Sequence, residues 1–215
     1  MNLPVGVEVA DAIGRSLCAL LPAEVRSGVL AIDPRHVDDL RPSELAAVAA
    51  AVPSRRAEFA TGRALLRELT GAVSAIDVGP DRAPLLPDGW IGSLSHTATL
   101  AVAAVAHPTT FAAVGVDLEA VGPMSAEERA IVLREDDPPL DGRAAMVLKE
   151  AAYKAWSALG GPLIDFRDLR LDVVGDVFTA VAPSNGALLE GNSPVLEGRW
   201  TGVAGHWLAA VVVPS

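Results

Sequence analysis

The sequence predicts an α+β fold of two similar lobes, each with a long helix packed on a small sheet, and three observations carry that prediction. Two long helix patterns stand at matching places in the two halves, at 54–69 and 141–159. Each is followed by short apolar runs that alternate with period two, as strands do. Gly, Pro and Asp residues separate those runs as turns. We place the division at 1–112 and 113–215. The two halves barely match residue by residue, so their common plan, a pseudo-twofold, lies in the pattern.

The elements follow in order. Pro42-Ser43 opens a helix carrying Leu45, Val48 and Ala51, which Pro53 stops or kinks. Ser54 is placed to cap a second helix that runs to Leu69 and closes at Gly71. Residues 78–92 read as a Gly- and Pro-rich loop, and strands are expected at 91–95, 100–106 and 114–120. A helix over 125–133 and a loop over 135–139 come next. Asp141 caps the long helix to Leu159, ended by Gly160-Gly161-Pro162. Four more strands are expected at 169–174, 177–181, 200–204 and 207–213. Residues 1–40 match no pattern that assigns them an element.

Composition narrows the function. A formal net charge of −10 argues against non-specific nucleic-acid binding. The apolar runs 45–52 and 98–106 fall far short of a membrane span. Residues 1–4 place no basic segment ahead of an apolar one, so no secretory leader is expected. The single Cys18 excludes an internal disulfide framework and a cysteine zinc site. A cytoplasmic enzyme is expected.

The chemistry-bearing residues begin with Asp117 and Glu119, in Val114-Gly115-Val116-Asp117-Leu118-Glu119. Strand geometry puts both carboxylates on one face, roughly 6.5–7 Å apart. Two like charges on a half-buried strand need a cation or a set of donors beside them. In Lys149-Glu150-Ala151-Ala152-Tyr153-Lys154, Glu150 and Lys154 share a helix face, and Lys149 lies about 100° around from Glu150, near the same rim. Alone, Glu150 and Lys154 read as a helix-stabilising pair worth about 0.3–0.5 kcal/mol. Beside the two strand acids, Glu150 becomes a third hard oxygen ligand, and the set suits Mg²⁺ holding a pyrophosphate.

Arg55, Arg56, Arg63 and Arg67 crowd thirteen residues of an otherwise acidic chain. Isolated arginines are most often a solvated helix face, but a cluster of four points to an anion site. Ser95-His96, at a strand end, lacks the Gly-x-Ser-x-Gly elbow of a nucleophile and reads better as a pair of phosphate donors.

Taken in order, Arg-Arg-x-x-Phe-x-x-x-Arg (55–63), Arg-x-Pro-x-x-Pro-x-Gly (82–89), Gly-Ser-Leu-Ser-His (92–96), Gly-Val-Asp-Leu-Glu (115–119) and Lys-Glu-Ala-x-Tyr-Lys-Ala (149–155) resemble the 4′-phosphopantetheinyl transferases. The likeness is to the broad-specificity, two-lobed class that serves polyketide, nonribosomal peptide and siderophore synthetases. It covers roughly residues 50–160.

The resemblance implies transfer of phosphopantetheine from coenzyme A to a serine of an apo acyl or peptidyl carrier protein, with release of adenosine 3′,5′-bisphosphate. It implies Mg²⁺ on Asp117, Glu119 and Glu150, with Glu150 also the general base. Lys154, with Lys149, would hold the pyrophosphate. Arg55, Arg63, Ser95 and His96, with Arg56 and Arg82, would bind the 3′-phosphate and its neighbours. Leu85-Leu86 stand where family members often carry an aromatic near the adenine. A monomer is expected, since one chain can supply both sides of the cleft. The rival readings are a coenzyme A-binding scaffold without catalysis and a metal-dependent phosphohydrolase. The first should have lost an acid or Lys154, and all are present. The second needs a further water-activating base, and the sequence offers none.

Overall fold

The computed structural model describes residues 5–80, 82–183 and 195–215. Residues 1–4, read above for a leader, and residues 184–194, read above as turn, lie outside the described residues. Helix α1 (Val5–Leu20) leads into strand β1 (Arg26–Ala31). Helices α2 (Pro42–Ala47) and α3 (Pro53–Thr70) precede β2 (Ile91–His96), β3 (Leu100–Ala106) and β4 (Phe111–Ala120). Then come α4 (Ala126–Val132), α5 (Gly142–Ala158), β5 (Arg170–Val174), β6 (Val177–Val181), β7 (Val195–Val203) and β8 (His206–Pro214). All strand pairings are antiparallel, in a three-stranded sheet of order β1-β3-β2 and a five-stranded sheet of order β4-β8-β7-β6-β5. The fold is α+β, as the sequence predicts.

The long helices are set by their ends. Pro53 does not interrupt a helix but starts α3 at its first helical position, with Val52 rather than Ser54 as N-cap. Proline is favoured there because its missing N–H would have no partner in any case. Gly71 closes the helix in the left-handed conformation, at φ 75°. Asp141 caps α5, its side chain accepting from the Arg143 and Ala144 amides.

Each long helix buries one face on a sheet. Leu65 and Leu66 of α3 pack on Ala101, Ala103 and Val105 of β3. Leu148, Ala152 and Trp156 of α5 pack with Leu171, Phe178 and Val211 of the larger sheet. A third cluster joins the two sheets, bringing Val102 and Ala104 together with Val116, Leu118 and Leu208. Ile13 and Leu17 of α1 close that cluster. A fully buried side chain of this size stabilises the fold by about 1.5–3 kcal/mol. The amino-terminal segment, left unassigned by sequence, is therefore part of the core.

The functional consequence lies at the edges. Strands β2 and β4 are each the edge strand of their sheet, and they meet. The Val116 amide of β4 donates to the Ser93 hydroxyl of β2 at 3.0 Å. Two edges with unpaired backbone groups thus cover each other, and α3 and α5 flank the seam.

Candidate active site at the seam between the sheets

A cleft of about 640 Å³ opens along this seam. Arg55, Arg63, Arg82, His96, Glu150 and Lys154 line it, from α3, the following loop, β2 and α5. Six of the eleven residues to which the resemblance gives a role therefore share one cavity.

The cationic wall comes from α3. Arg55 sits in the first turn, as the eight-residue spacing to Arg63 requires if both are to reach one ligand. Its Nη1 donates to Glu58 at 3.1 Å and contacts His96 Nε2. Arg63, about two turns further along, is 3% exposed. Its Nε donates to the Ile76 carbonyl at 2.6 Å, and its guanidinium lies 4.2 Å over the Phe59 ring. Burial pushes its pKa down to about 10, against the pull of the Glu44 carboxylate. Gly62 lets α3 lie this close to β2, since a Cβ there would stand 2.8 Å from a Leu94 methyl.

His96 ends β2 beside Arg55. Burial, and then the Arg55 charge, hold its pKa below the usual histidine value, with Glu58 opposing. Arg82 lines the cleft with φ at 70°, between Val78 and Pro84, which an isolated bridge joins. Leu86 packs in the α3 core and Leu85 points out at 53% exposure.

The acidic wall is β4 with α5. Gly115 sets their spacing, because a Cβ there would fall 2.0 Å from the Ala151 carbonyl. Only glycine allows the helix backbone to rest on the strand in this way. Asp117, 4% exposed, accepts from Ser95 at 2.6 Å and from Lys154 at 2.7 Å, both through Oδ1. Its Oδ2 is buried and has no hydrogen-bond partner among the described residues. Glu150 is pushed above the ordinary carboxylate value by burial, then by Asp117, with Glu119 adding to it. Glu119 rises for the same two leading reasons, burial and then Asp117. The Asp117 charge thus bears on both glutamates, although among the described residues no three His, Cys, Asp or Glu side chains stand close enough to close a metal site as they are.

Several placements differ from the sequence expectation. Lys149 is not at the cleft. Its Nζ, fully buried, donates to the Val132 carbonyl at 2.9 Å and to Asp137 at 2.6 Å. With Glu150 turned to the cleft, the preceding position is rotated towards the α4–α5 loop. Arg56 is taken up by carbonyls of the α2–α3 connection, with Nε donating to Val48 at 3.2 Å and to Ala51 at 3.0 Å. Ser95, expected at a phosphate, donates to Asp117 instead. Lys154 pairs with Asp117 rather than with Glu150.

Sequence reasoning passed over Glu58, Ser93 and Asp137. Glu58 had a legible signal, its place three residues after Arg55 on one helix face. Asp137 had none, since its partner is twelve residues away across a loop.

The comparisons with known proteins decide the family. Residues 43–106 match the 4′-phosphopantetheinyl transferase N-terminal domain. The 4′-phosphopantetheinyl transferase Svp of Streptomyces mobaraensis is 35% identical over 196 residues, which cover 82% of this chain and 79% of that protein. The chain belongs to the 4′-phosphopantetheinyl transferases. Npt of Nocardia iowensis is 30% identical over 89% of this chain and 97% of its own length. PptT of Mycobacterium tuberculosis is 30% identical over 94% and 99%. As a phosphopantetheinyl transferase the protein is an enzyme that takes coenzyme A as substrate and a carrier protein as acceptor. The matched N-terminal domain contains α3 and β2, and with them the cationic wall.

Proposed function

We propose that the two walls divide the reaction, the α3–β2 side holding coenzyme A by its phosphates and the β4–α5 side carrying out transfer. The observation that carries this reading is the chain Ser95–Asp117–Lys154, which links β2, β4 and α5 where the arginine-lined cleft meets the three acids. Arg55, Arg63 and His96 bind the 3′-phosphate, with Arg82 beside them. Lys154, 27% exposed at its side chain, neutralises the pyrophosphate. Glu150 takes the proton of the carrier serine. The serine oxygen forms a bond to the phosphorus that bears pantetheine. The bond from that phosphorus to the bridging oxygen breaks, and adenosine 3′,5′-bisphosphate leaves.

The acid set has the chemistry of a hard divalent-cation site, two glutamates raised by the Asp117 charge and an Asp117 oxygen buried without a donor among the described residues, although the three side chains do not converge as they stand. Mg²⁺ on Asp117, Glu119 and Glu150 would supply charge neutralisation at the pyrophosphate. We further infer two lobes, with the expected 112/113 division falling inside the first residues of β4, a monomer, and a cytoplasmic enzyme acting on carriers of secondary metabolism. Among the described residues, no helix is long and apolar enough to cross a membrane.

The test is incubation with coenzyme A, Mg²⁺ and an apo carrier protein, read by mass spectrometry, beside calorimetric titration of Mg²⁺ into wild type and Asp117→Asn with coenzyme A present. A phosphopantetheine mass gain, and Mg²⁺ binding lost in the variant, support the reading. Coenzyme A binding without transfer would favour the scaffold instead, and unaltered Mg²⁺ binding in the variant would remove Asp117 from the metal.

A further inference from the structure

One acid stands on the wrong wall. Glu58 lies on α3, 17% exposed at its side chain, inside the cleft whose other α3 charges are arginines. An acid beside a phosphate repels it, so its presence needs a reason. Its Oε2 accepts from Arg55 Nη1 at 3.1 Å and lies 3.6 Å from His96 Nδ1.

The protonation of His96 follows from these neighbours. Arginine only donates, so the Nε2 atom that faces Arg55 is bare. The ring proton of the neutral imidazole is then on Nδ1, facing Glu58. A bare Nε2 cannot grip a phosphate, whose oxygens also only accept, so Nε2 must gain a proton when a phosphate arrives.

The charged groups facing His96 are Arg55 and Glu58 from α3 and Lys154 from α5, and the Thr97 backbone also bonds it. Burial and Arg55 keep the ring neutral in the free protein, against Glu58. An incoming phosphate draws Arg55 onto itself and adds negative charge on the Nε2 side. Glu58 already holds negative charge on the Nδ1 side.

We propose that Glu58 is a positioning residue that holds His96 through Nδ1, so that the ring receives a proton at Nε2 and grips the 3′-phosphate as a cation. The proton comes from solvent buffer, and no other bond forms or breaks. The inference rests on the assignment of this wall to the 3′-phosphate, and it adds that ligand binding is coupled to proton uptake.

The experiment is calorimetric titration of coenzyme A and of dephospho-coenzyme A, which lacks the 3′-phosphate, at about pH 7.5, above the ordinary histidine range. Two buffers of different ionisation heat give the protons taken up. Wild type is expected to prefer coenzyme A by roughly 10- to 100-fold, with uptake of about one proton for that ligand and almost none for the other. Glu58→Gln should lose the uptake and about tenfold of the preference, with dephospho-coenzyme A affinity unchanged. Glu58→Asp, a shorter carboxylate, should keep part of both. If Glu58→Gln retains wild-type uptake and preference, or if wild type prefers coenzyme A without any uptake, the role of Glu58 is overturned. Equal affinity of wild type for both ligands would instead overturn the phosphate assignment on which it rests.

Discussion

Helices α3 and α5 each lie on an antiparallel sheet and each lend a face to the same cleft, but their polar groups are balanced in opposite ways. On α3 the cations already have partners within the protein: Arg63 with the Ile76 carbonyl, Arg55 with Glu58. On the β4–α5 side the balance is unfinished, because Asp117 Oδ2 has no donor among the described residues and both Glu119 and Glu150 are raised by burial and by their neighbours' charge. One wall is held ready in the absence of ligand, and the other awaits positive charge. That difference is why binding and turnover should separate under mutation.

The largest effect on the fold is expected at Lys149, which tests whether it serves α5's buried side or the cleft. Lys149→Met leaves Asp137 buried without its cation, although that carboxylate still accepts from the Arg134 and Leu171 amides. Thermal or denaturant unfolding should show a loss of about 3–5 kcal/mol, while the folded fraction binds coenzyme A with wild-type affinity. Unchanged stability with weakened coenzyme A binding would return Lys149 to the phosphate.

Why this residue was misplaced by sequence is instructive. The spacing of Lys149, Glu150 and Lys154 fixes their angles around a helix but not which angle faces the cleft. That is set by Gly115, where β4 touches Ala151, and by Asp137 across a loop. The strands and helices themselves were largely legible, since Asp141, Gly71 and the alternation in β3 and β4 are local signals. Helix α1 was missed, although Val9, Ile13 and Leu17, with Leu21 just past its end, recur every four residues and all four pack in the shared core. Strand β7 begins five residues earlier than expected because Gly198 interrupts its apolar alternation, and a Cβ there would strike the Phe178 ring. Pairings across the seam, such as Ser95 with Asp117, leave no mark on either segment alone.

A smaller effect sharpens the cationic side. Arg55→Ala and Arg63→Ala should each cost about 1.5–3 kcal/mol in coenzyme A binding, the worth of a charge-assisted contact. Dephospho-coenzyme A, titrated in parallel, should be affected much less. Arg63→Ala should also lower the melting temperature, because it strips the Ile76 carbonyl and Phe59 of a buried partner, whereas the half-exposed Arg55 should not. Equal weakening of both ligands would reduce the cluster to a solvated face.

The smallest effect probes the acidic side without metal. A carboxyl whose folded pKa is raised makes the folded state bind more protons than the unfolded one just above the ordinary carboxylate range. Stability therefore falls as pH rises through that window. Glu119→Gln in chelator should accordingly stabilise the protein at neutral pH, by less than about 1 kcal/mol given solvent screening. The gain should vanish as pH falls below about 4.3. Thermal melts at the two pH values check this, and destabilisation at neutral pH would mean that the acids do not strain the metal-free site.

The most direct measurement compares Glu150→Gln with wild type in two readings, the turnover of an apo carrier protein and the dissociation constant of coenzyme A. The amide keeps the shape of the side chain but cannot accept the serine proton. Turnover should fall by about 10²–10⁴-fold, while the dissociation constant, set mainly by Arg55, Arg63 and His96 on the other wall, stays within about threefold. Equal losses in both would contradict the division of labour between the two walls.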